Sequence, residues 1–357
     1  MLRERRIRHY VRAMSNPNTS RMRALRITAP GDPGVLAVEL VPRPEAGPNE
    51  ILVRVAAAAL NRADLLQRAG RYPAPPGSPE DIPGLEFAGT VAATGAGASR
   101  WRIGDRVSGL VGGGAQAEFL TTHEDAVFAV PDVLGLAEAA AVPEAFITVH
   151  DALVTQAHLG RGERVLVFAV ASGVGLAAVH LIRAMGAHAY GTTRTASKLD
   201  RVLAEGVTEG AAISVPDDIG RHVERWTDGT GVDIVLDLVG GDWAAAGISV
   251  LAPRGRLMCV GTLAGGGATI DLRRVLSRRL TIRGTVLRAR TLEEKIAATD
   301  AFARDALPLL ASGQIRPVID GIYPLESAAE AHARLERGDT IGKLVLTISP
   351  SSPTTDS

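Results

Sequence analysis

The chain has 357 residues, 46% of them hydrophobic and 22% charged, the composition of a folded protein with room for two hydrophobic cores rather than one. Its 39 Lys and Arg balance 39 Asp and Glu at a sequence pI near 7.1, so no overall field draws it to nucleic acid or to an anionic membrane. One cysteine, Cys259, excludes a disulfide scaffold and a cysteine-built zinc site, and points to a reducing compartment such as the cytoplasm.

Residues 1–21 are dense in arginine (Arg3, Arg5, Arg6, Arg8, Arg12, Arg21) and carry no long apolar core of a secretory signal. They read as a disordered tail, or as a leader ahead of an initiator at Met22; residues 351–357 read as a second tail. From Met22 the pattern becomes short strands, Arg23 to Thr28, Val35 to Val41 and Glu50 to Ala57, separated by Pro-Gly turns, which describes an irregular β-rich module. A short helix begins at Asn61-Arg62-Ala63-Asp64, and its exit is broken by Gly70 and a proline-rich loop from Pro73 to Pro83.

The most informative stretch runs from Arg164 to Met185. An apolar run of strand length, Val165 to Val170, ends in small residues, Ala171-Ser172-Gly173-Val174-Gly175, and passes into helical apolar spacing, the pattern of the first β-turn-α of a dinucleotide-binding fold. Small residues let a pyrophosphate approach the backbone and the positive end of the following helix. Glycine is expected at three places of this turn; here they hold Ala169, Ser172 and Gly175, with an additional Gly173. Val165 to Ile182 contains no Asp, Glu, Lys or Arg, about the length of a membrane span, but the Ser-Gly-x-Gly in its middle marks strand plus helix.

Cofactor choice is read at the end of the second strand, His188 to Lys198. An NAD-binding chain places Asp or Glu about 20 residues beyond the turn to hold the ribose hydroxyl. Thr193 occupies that place, with Arg194 and Lys198 beside it, which favours the extra phosphate of NADPH. Three further strands follow, Gly231 to Leu238, Gly255 to Gly261 and Leu280 to Thr285, and in a doubly wound sheet Val239-Gly240 and Leu263 open onto the nucleotide crevice. A long helix from Leu292 to Ala311 and a closing strand, Gly342 to Leu346, complete the chain.

Asn61-Arg62-Ala63-Asp64 with Tyr72, then Pro83-Gly84-Leu85-Glu86-Phe87-Ala88-Gly89, then Gly104-Asp105-Arg106-Val107, resemble the medium-chain dehydrogenase/reductase superfamily, and within it the zinc-independent quinone oxidoreductase branch. The resemblance runs from about Met22 to Ile348. It implies an α/β fold in which a Rossmann doubly wound parallel sheet (148–286) is inserted into a GroES-like β-rich catalytic domain (22–147 and 287–350), and a homodimer. It places Thr148 and Leu287 against the cofactor, beside Ser172, Gly173, Val174, Gly175, Thr193, Arg194, Lys198, Val239, Gly240 and Leu263, and puts a tyrosine near the adenosine where this chain has Ser214-Val215 on the following strand.

Alcohol dehydrogenases of the superfamily hold zinc with a cysteine near the place of Asn61 and a histidine in Gly-His-Glu; here that triplet is Gly84-Leu85-Glu86. No metal is therefore expected, and Glu86 reads as a structural carboxylate. Without a Lewis acid to carry an alkoxide, the accessible direction is hydride transfer from NADPH to an acceptor that spreads the incoming charge itself, a quinone or an enone. Asn61 and Tyr72 are the candidate catalytic residues, as donors to the acceptor oxygen, unless Asn61 caps its helix and Tyr72 only packs. His150 reads as structural. Two other readings stay open: a zinc-free enoyl reductase, and an NADPH-binding structural or RNA-binding protein with little turnover.

Overall fold

The computed structural model describes residues 20–348; of the tails read from the sequence, 1–21 and 351–357, residues 1–19 and 351–357 lie outside them. Arg21, expected to end the tail, instead opens a strand, Arg21–Ile27, whose antiparallel partner is Leu36–Pro42. The chain divides into two units. One comprises residues 20–144, 288–300 and 319–348, the other residues 145–287 and 301–318. The stretch 301–318, read from the sequence as part of the first domain, groups with the second unit.

The first unit is built on a seven-stranded sheet. Its order is Ile319–Pro324, Lys343–Thr347, Glu50–Ala59, Glu86–Thr94, Arg106–Leu110 and Val127–Ala129, with Phe119–His123 paired to Glu50–Ala59. Ile51, Val53, Val55, Phe87, Val91, Val107, Leu344 and Leu346 interlock in one apolar core, the term that stabilises such a sheet. Glu50–Ala59 takes register shifts at Leu52/Val53 and Val55/Ala57, irregularities of the kind that bend a strand and re-aim its end. Beyond that end comes helix Arg62–Arg68.

The second unit carries a six-stranded sheet, all parallel, in the order Glu209–Ala212, His188–Thr193, Arg164–Val167, Val232–Asp237, Leu251–Cys259, Thr281–Gly284. This is the doubly wound order, and its direction reverses between Arg164–Val167 and Val232–Asp237, where such folds open a ligand crevice. The uncharged run from Val165 resolves into strand Arg164–Val167 and helix Gly173–Ala184. Among the described residues no helix is long and apolar enough to cross a membrane.

Two further sequence expectations are corrected here. The single helix from Leu292 to Ala311 is two, Leu292–Asp305 and Leu307–Ala311, because Pro308 has no N–H to continue the ladder. Ser214-Val215 lies past its strand, which ends at Ala212. Residues 143–156 contain two π-helical stretches, Pro143–Ile147 and His150–Gln156, around Thr148 and Val149, a widened geometry frequent at functional sites.

Gly84 joins the proline-rich loop to strand Glu86–Thr94 at φ +105°, and a Cβ there would fall 2.7 Å from the backbone nitrogen of Gln116. Gly84→Ala therefore meets both backbone strain and overlap; a loss of about 3 kcal/mol or more, or failure to fold, is expected in thermal and denaturant unfolding.

Candidate active site

In the parallel-sheet unit, the sheet topology gathers the nucleotide-side residues at the C-terminal ends of four neighbouring strands. Thr193 ends one, the Phe168–Ser172 turn follows the next, Asp237 ends the third, and Leu263 lies shortly beyond the fourth. The turn closes with Ala169 at φ 53°, in the left-handed region where the fingerprint has glycine. Ser172 caps helix Gly173–Ala184 by accepting from the Gly175 N–H at 3.0 Å. First-turn N–H groups have no intrahelical acceptor, so those of Gly173 and Val174 stay available to an anion. Gly175 serves packing: a Cβ would fall 2.5 Å from the Val170 carbonyl oxygen.

Thr193 is buried and donates its hydroxyl to the Thr195 carbonyl at 2.8 Å, so it shapes the turn. Arg194 is exposed and Lys198 half-buried on that turn, with no acid between them. Asp237, missed in the sequence reading, is fully buried; its Oδ1 accepts from the N–H groups of Val239 and Gly240 at 2.8 and 2.9 Å, and this fixes the crevice turn. Burial pushes its carboxyl up, against those two bonds. Gly240, at φ 74°, sits against the 261–265 loop, on which Leu263 is exposed. Thr148 and Leu287 are both buried and come from outside these strand ends. His150 is held by Asp305 at 3.1 Å and edge-on to Phe302, a structural arrangement.

The β-rich unit holds a buried charged network around Asn61. The Lys343 ammonium, 5% exposed, donates to Glu86 Oε1 at 2.5 Å, Asn61 Oδ1 at 2.6 Å and the Leu60 carbonyl at 3.0 Å. Asn61 Nδ2 donates to Glu86 Oε1 at 2.9 Å and to the Ala59 carbonyl at 3.4 Å. Glu86 Oε2 accepts the Glu144 backbone N–H at 2.8 Å. The side chain of Asn61 is thus spent inside the network. The helix start is tied instead by Asp64, whose Oδ2 accepts the Asn61 N–H at 2.7 Å while its Oδ1 accepts the Gly84 N–H at 3.0 Å.

Two acids of this network are displaced toward neutrality. Burial pushes Asp64 up to about 6 despite its two backbone bonds, and burial, reinforced by Glu86, pushes Glu144 up to about 7. Tyr72 is half-buried under the Arg288 guanidinium, 4.7 Å from its ring centroid, and its hydroxyl meets no acceptor among the described residues. Lys343 escaped the sequence reading. The one available signal was scarcity, since only Lys198, Lys295 and Lys343 are lysines. Among the described residues no group of three or more His, Cys, Asp or Glu is placed to hold a metal ion.

Residues 47–132 match the alcohol dehydrogenase GroES-like domain, and residues 210–346 match a family described as zinc-binding dehydrogenase. A human quinone oxidoreductase is 32% identical over 337 residues, covering 91% of this chain and 97% of that protein. Among solved structures, a mycobacterial protein complexed with NADPH superposes with a TM-score of 0.81 at 30% identity, over 91% of this chain and 99% of that one. The CurK enoyl reductase superposes with a TM-score of 0.82 at 25% identity, over 92% and 100%.

Two outcomes follow from the network. Lys343→Met leaves Glu86 buried without its cation and is expected to cost about 3–5 kcal/mol in denaturant unfolding, with partial recovery in Lys343→Met/Glu86→Gln. Glu144, ordinarily near 4.5 and raised to about 7, binds its proton more tightly folded than unfolded, so its contribution is complete below pH 4.5 and is lost as pH rises through about 7. Glu144→Gln should therefore gain melting temperature relative to wild type between about pH 5 and about pH 8, with the gap widening as pH rises.

Proposed function

The chain belongs to the medium-chain dehydrogenase/reductase superfamily, and from that premise we propose that it reduces quinones with NADPH by hydride transfer, without zinc. The observation that carries this reading is the Lys343 ammonium, bonded to both Glu86 Oε1 and Asn61 Oδ1. The oxygens that could turn toward a metal already hold a cation, and the neighbouring Leu85 is no ligand, so the residues present do not fit catalytic zinc. An alcohol substrate would need its alkoxide stabilised, whereas a quinone spreads the added charge over its own ring.

NADPH, when bound, supplies the hydride. The chain's own part is to hold donor and acceptor in near-attack geometry. The Gly173 and Val174 N–H groups, at the positive end of helix Gly173–Ala184, would receive the pyrophosphate. Arg194 and Lys198, the two cations on the turn after strand His188–Thr193, would take the 2′-phosphate. Tyr72 would donate its hydroxyl to the acceptor oxygen. Asn61, whose amide is committed to Glu86, acts as a positioning residue at the head of helix Arg62–Arg68.

The likeness to the CurK enoyl reductase supports a second reading, reduction of an enoyl thioester by the same residues. Dimerisation through the parallel sheet is supported by its edge strand Thr281–Gly284, exposed throughout, with Leu272 at 68% and Leu276 at 77% exposure on the helix before it. An unpaired edge beside exposed leucines suits a second copy of the same strand.

With NADPH, wild type is expected to turn over a simple ortho-quinone faster than an enoyl thioester; the reverse ranking in steady-state assays selects the second reading. Arg194→Ala/Lys198→Ala should weaken NADPH binding by tenfold or more while leaving NADH within about twofold in fluorescence titration. Equal losses for both nucleotides would remove the assignment of the 2′-phosphate. Light scattering should give twice the 37.3 kDa chain mass, and Ile282→Arg should halve it.

A further inference from the structure

Arg288 is the first residue of the segment by which the chain re-enters the β-rich unit, and its guanidinium is 5% exposed. Each of its nitrogens bonds a different stretch: Nε donates to the Gly112 carbonyl at 3.0 Å, Nη2 to Gln67 Oε1 at 2.6 Å, and Nη1 to the Tyr72 carbonyl at 3.3 Å. Its face covers the Tyr72 ring at 4.7 Å. All three acceptors are neutral oxygens, and no carboxylate among the described residues comes within ion-pair distance.

The stretches it joins are fastened to each other by backbone bonds from Val111, Gly114, Ala115 and Gln116 to the carbonyls of Leu85, Ile82, Gly84 and Pro83, and Arg288 reaches beyond those bonds to Tyr72 and Gly112. Residues 69–85 and 111–118 form no regular element, and they press on each other, since a Cβ on Gly112 would fall 2.7 Å from Pro75 Cγ. Gln67 extends the tie by donating Nε2 to the Glu80 carbonyl at 3.0 Å. One planar, five-donor group therefore ties helix Arg62–Arg68, Tyr72 and Gly112 to one another where the backbone bonds leave off, a task for which an ammonium has the wrong shape.

We infer that Arg288 is a positioning and specificity-determining residue: it fixes the Tyr72 ring and the spacing of the two loops, and so sets the size of the acceptor that can lie against Tyr72. The inference rests on the assignment of Tyr72 to the acceptor side. It limits one-ring against two-ring quinones, and it leaves the nucleotide site untouched.

The test uses the full-length chain with one-ring and two-ring quinones, in wild type, Arg288→Met, Arg288→Lys, Tyr72→Ala and Arg288→Met/Tyr72→Ala. Expected for Arg288→Met is a rise in quinone KM of about tenfold with kcat held within about threefold, and a change of about fivefold or more in the kcat/KM ratio of the two quinones. NADPH affinity should stay within about twofold. Arg288→Lys, which keeps the charge and loses the fork, should fall between wild type and Arg288→Met. It also serves as the reporter should Arg288→Met not fold. In the Tyr72→Ala background, Arg288→Met should add less than about twofold. An unchanged size preference in Arg288→Met and Arg288→Lys, or losses at Arg288 and Tyr72 that simply multiply, overturns the inference. Wild type without quinone turnover counts against the reductase reading alone; the Arg288 inference is then read from the dissociation constants of the same two quinones across the variants.

Discussion

The β-rich unit depends on one buried ammonium. Lys343 opens strand Lys343–Thr347, Leu60 and Asn61 follow strand Glu50–Ala59, and Glu86 opens strand Glu86–Thr94; these three strands are neighbours in the sheet, and the cation joins their adjoining ends. Taking a lysine and a glutamate out of water is costly, and the attraction between them compensates only when the remaining donors and acceptors are satisfied. Here all three ammonium donors have oxygen partners, and both Glu86 oxygens accept bonds. Removing one member leaves the others buried and unpaired, so the network behaves as a unit.

The two units place their functional residues by the same device, strand ends, with opposite chemistry. In the parallel sheet the strand ends offer small residues, backbone N–H groups and two cations on a turn, the chemistry that suits phosphate under the proposed reading. In the antiparallel sheet they converge on charged side chains that satisfy one another. Asp237 and Asp64 are both buried carboxylates that accept two backbone N–H groups: Asp237 fixes the turn leaving its strand, and Asp64 ties the start of its helix to Gly84.

What could be read from the sequence follows the range of the interactions. The strand, turn and helix from Arg164 to Ala184 are set by local periodicity and by small residues at fixed offsets, and they form where the pattern places them. Pro308 divides the helical spacing from Leu292 to Ala311 by an equally local rule, since it has no N–H to continue the ladder. Asn61 shows where local reading ends. Its identity and helix-opening position are plain in the sequence, but its amide is committed by Lys343, 282 positions away. Arg288 meets Gln67 across 221 positions. No pattern in one sequence announces such pairs, because only the folded sheet brings them together.

Lys343 and Arg288 are both buried cations, and the difference between them bears on chemistry. Lys343 is neutralised by Glu86 at 2.5 Å, so the network it anchors presents little field beyond itself. Arg288 is solvated by neutral oxygens and an aromatic face, with Lys295 near enough that burial and then the guanidinium push the ammonium down. Positive charge is therefore left on the side of the unit that carries Tyr72. Under the proposed reading the guanidinium acts there through shape, and the lysine variant, which keeps the charge and abandons the fork, separates shape from charge.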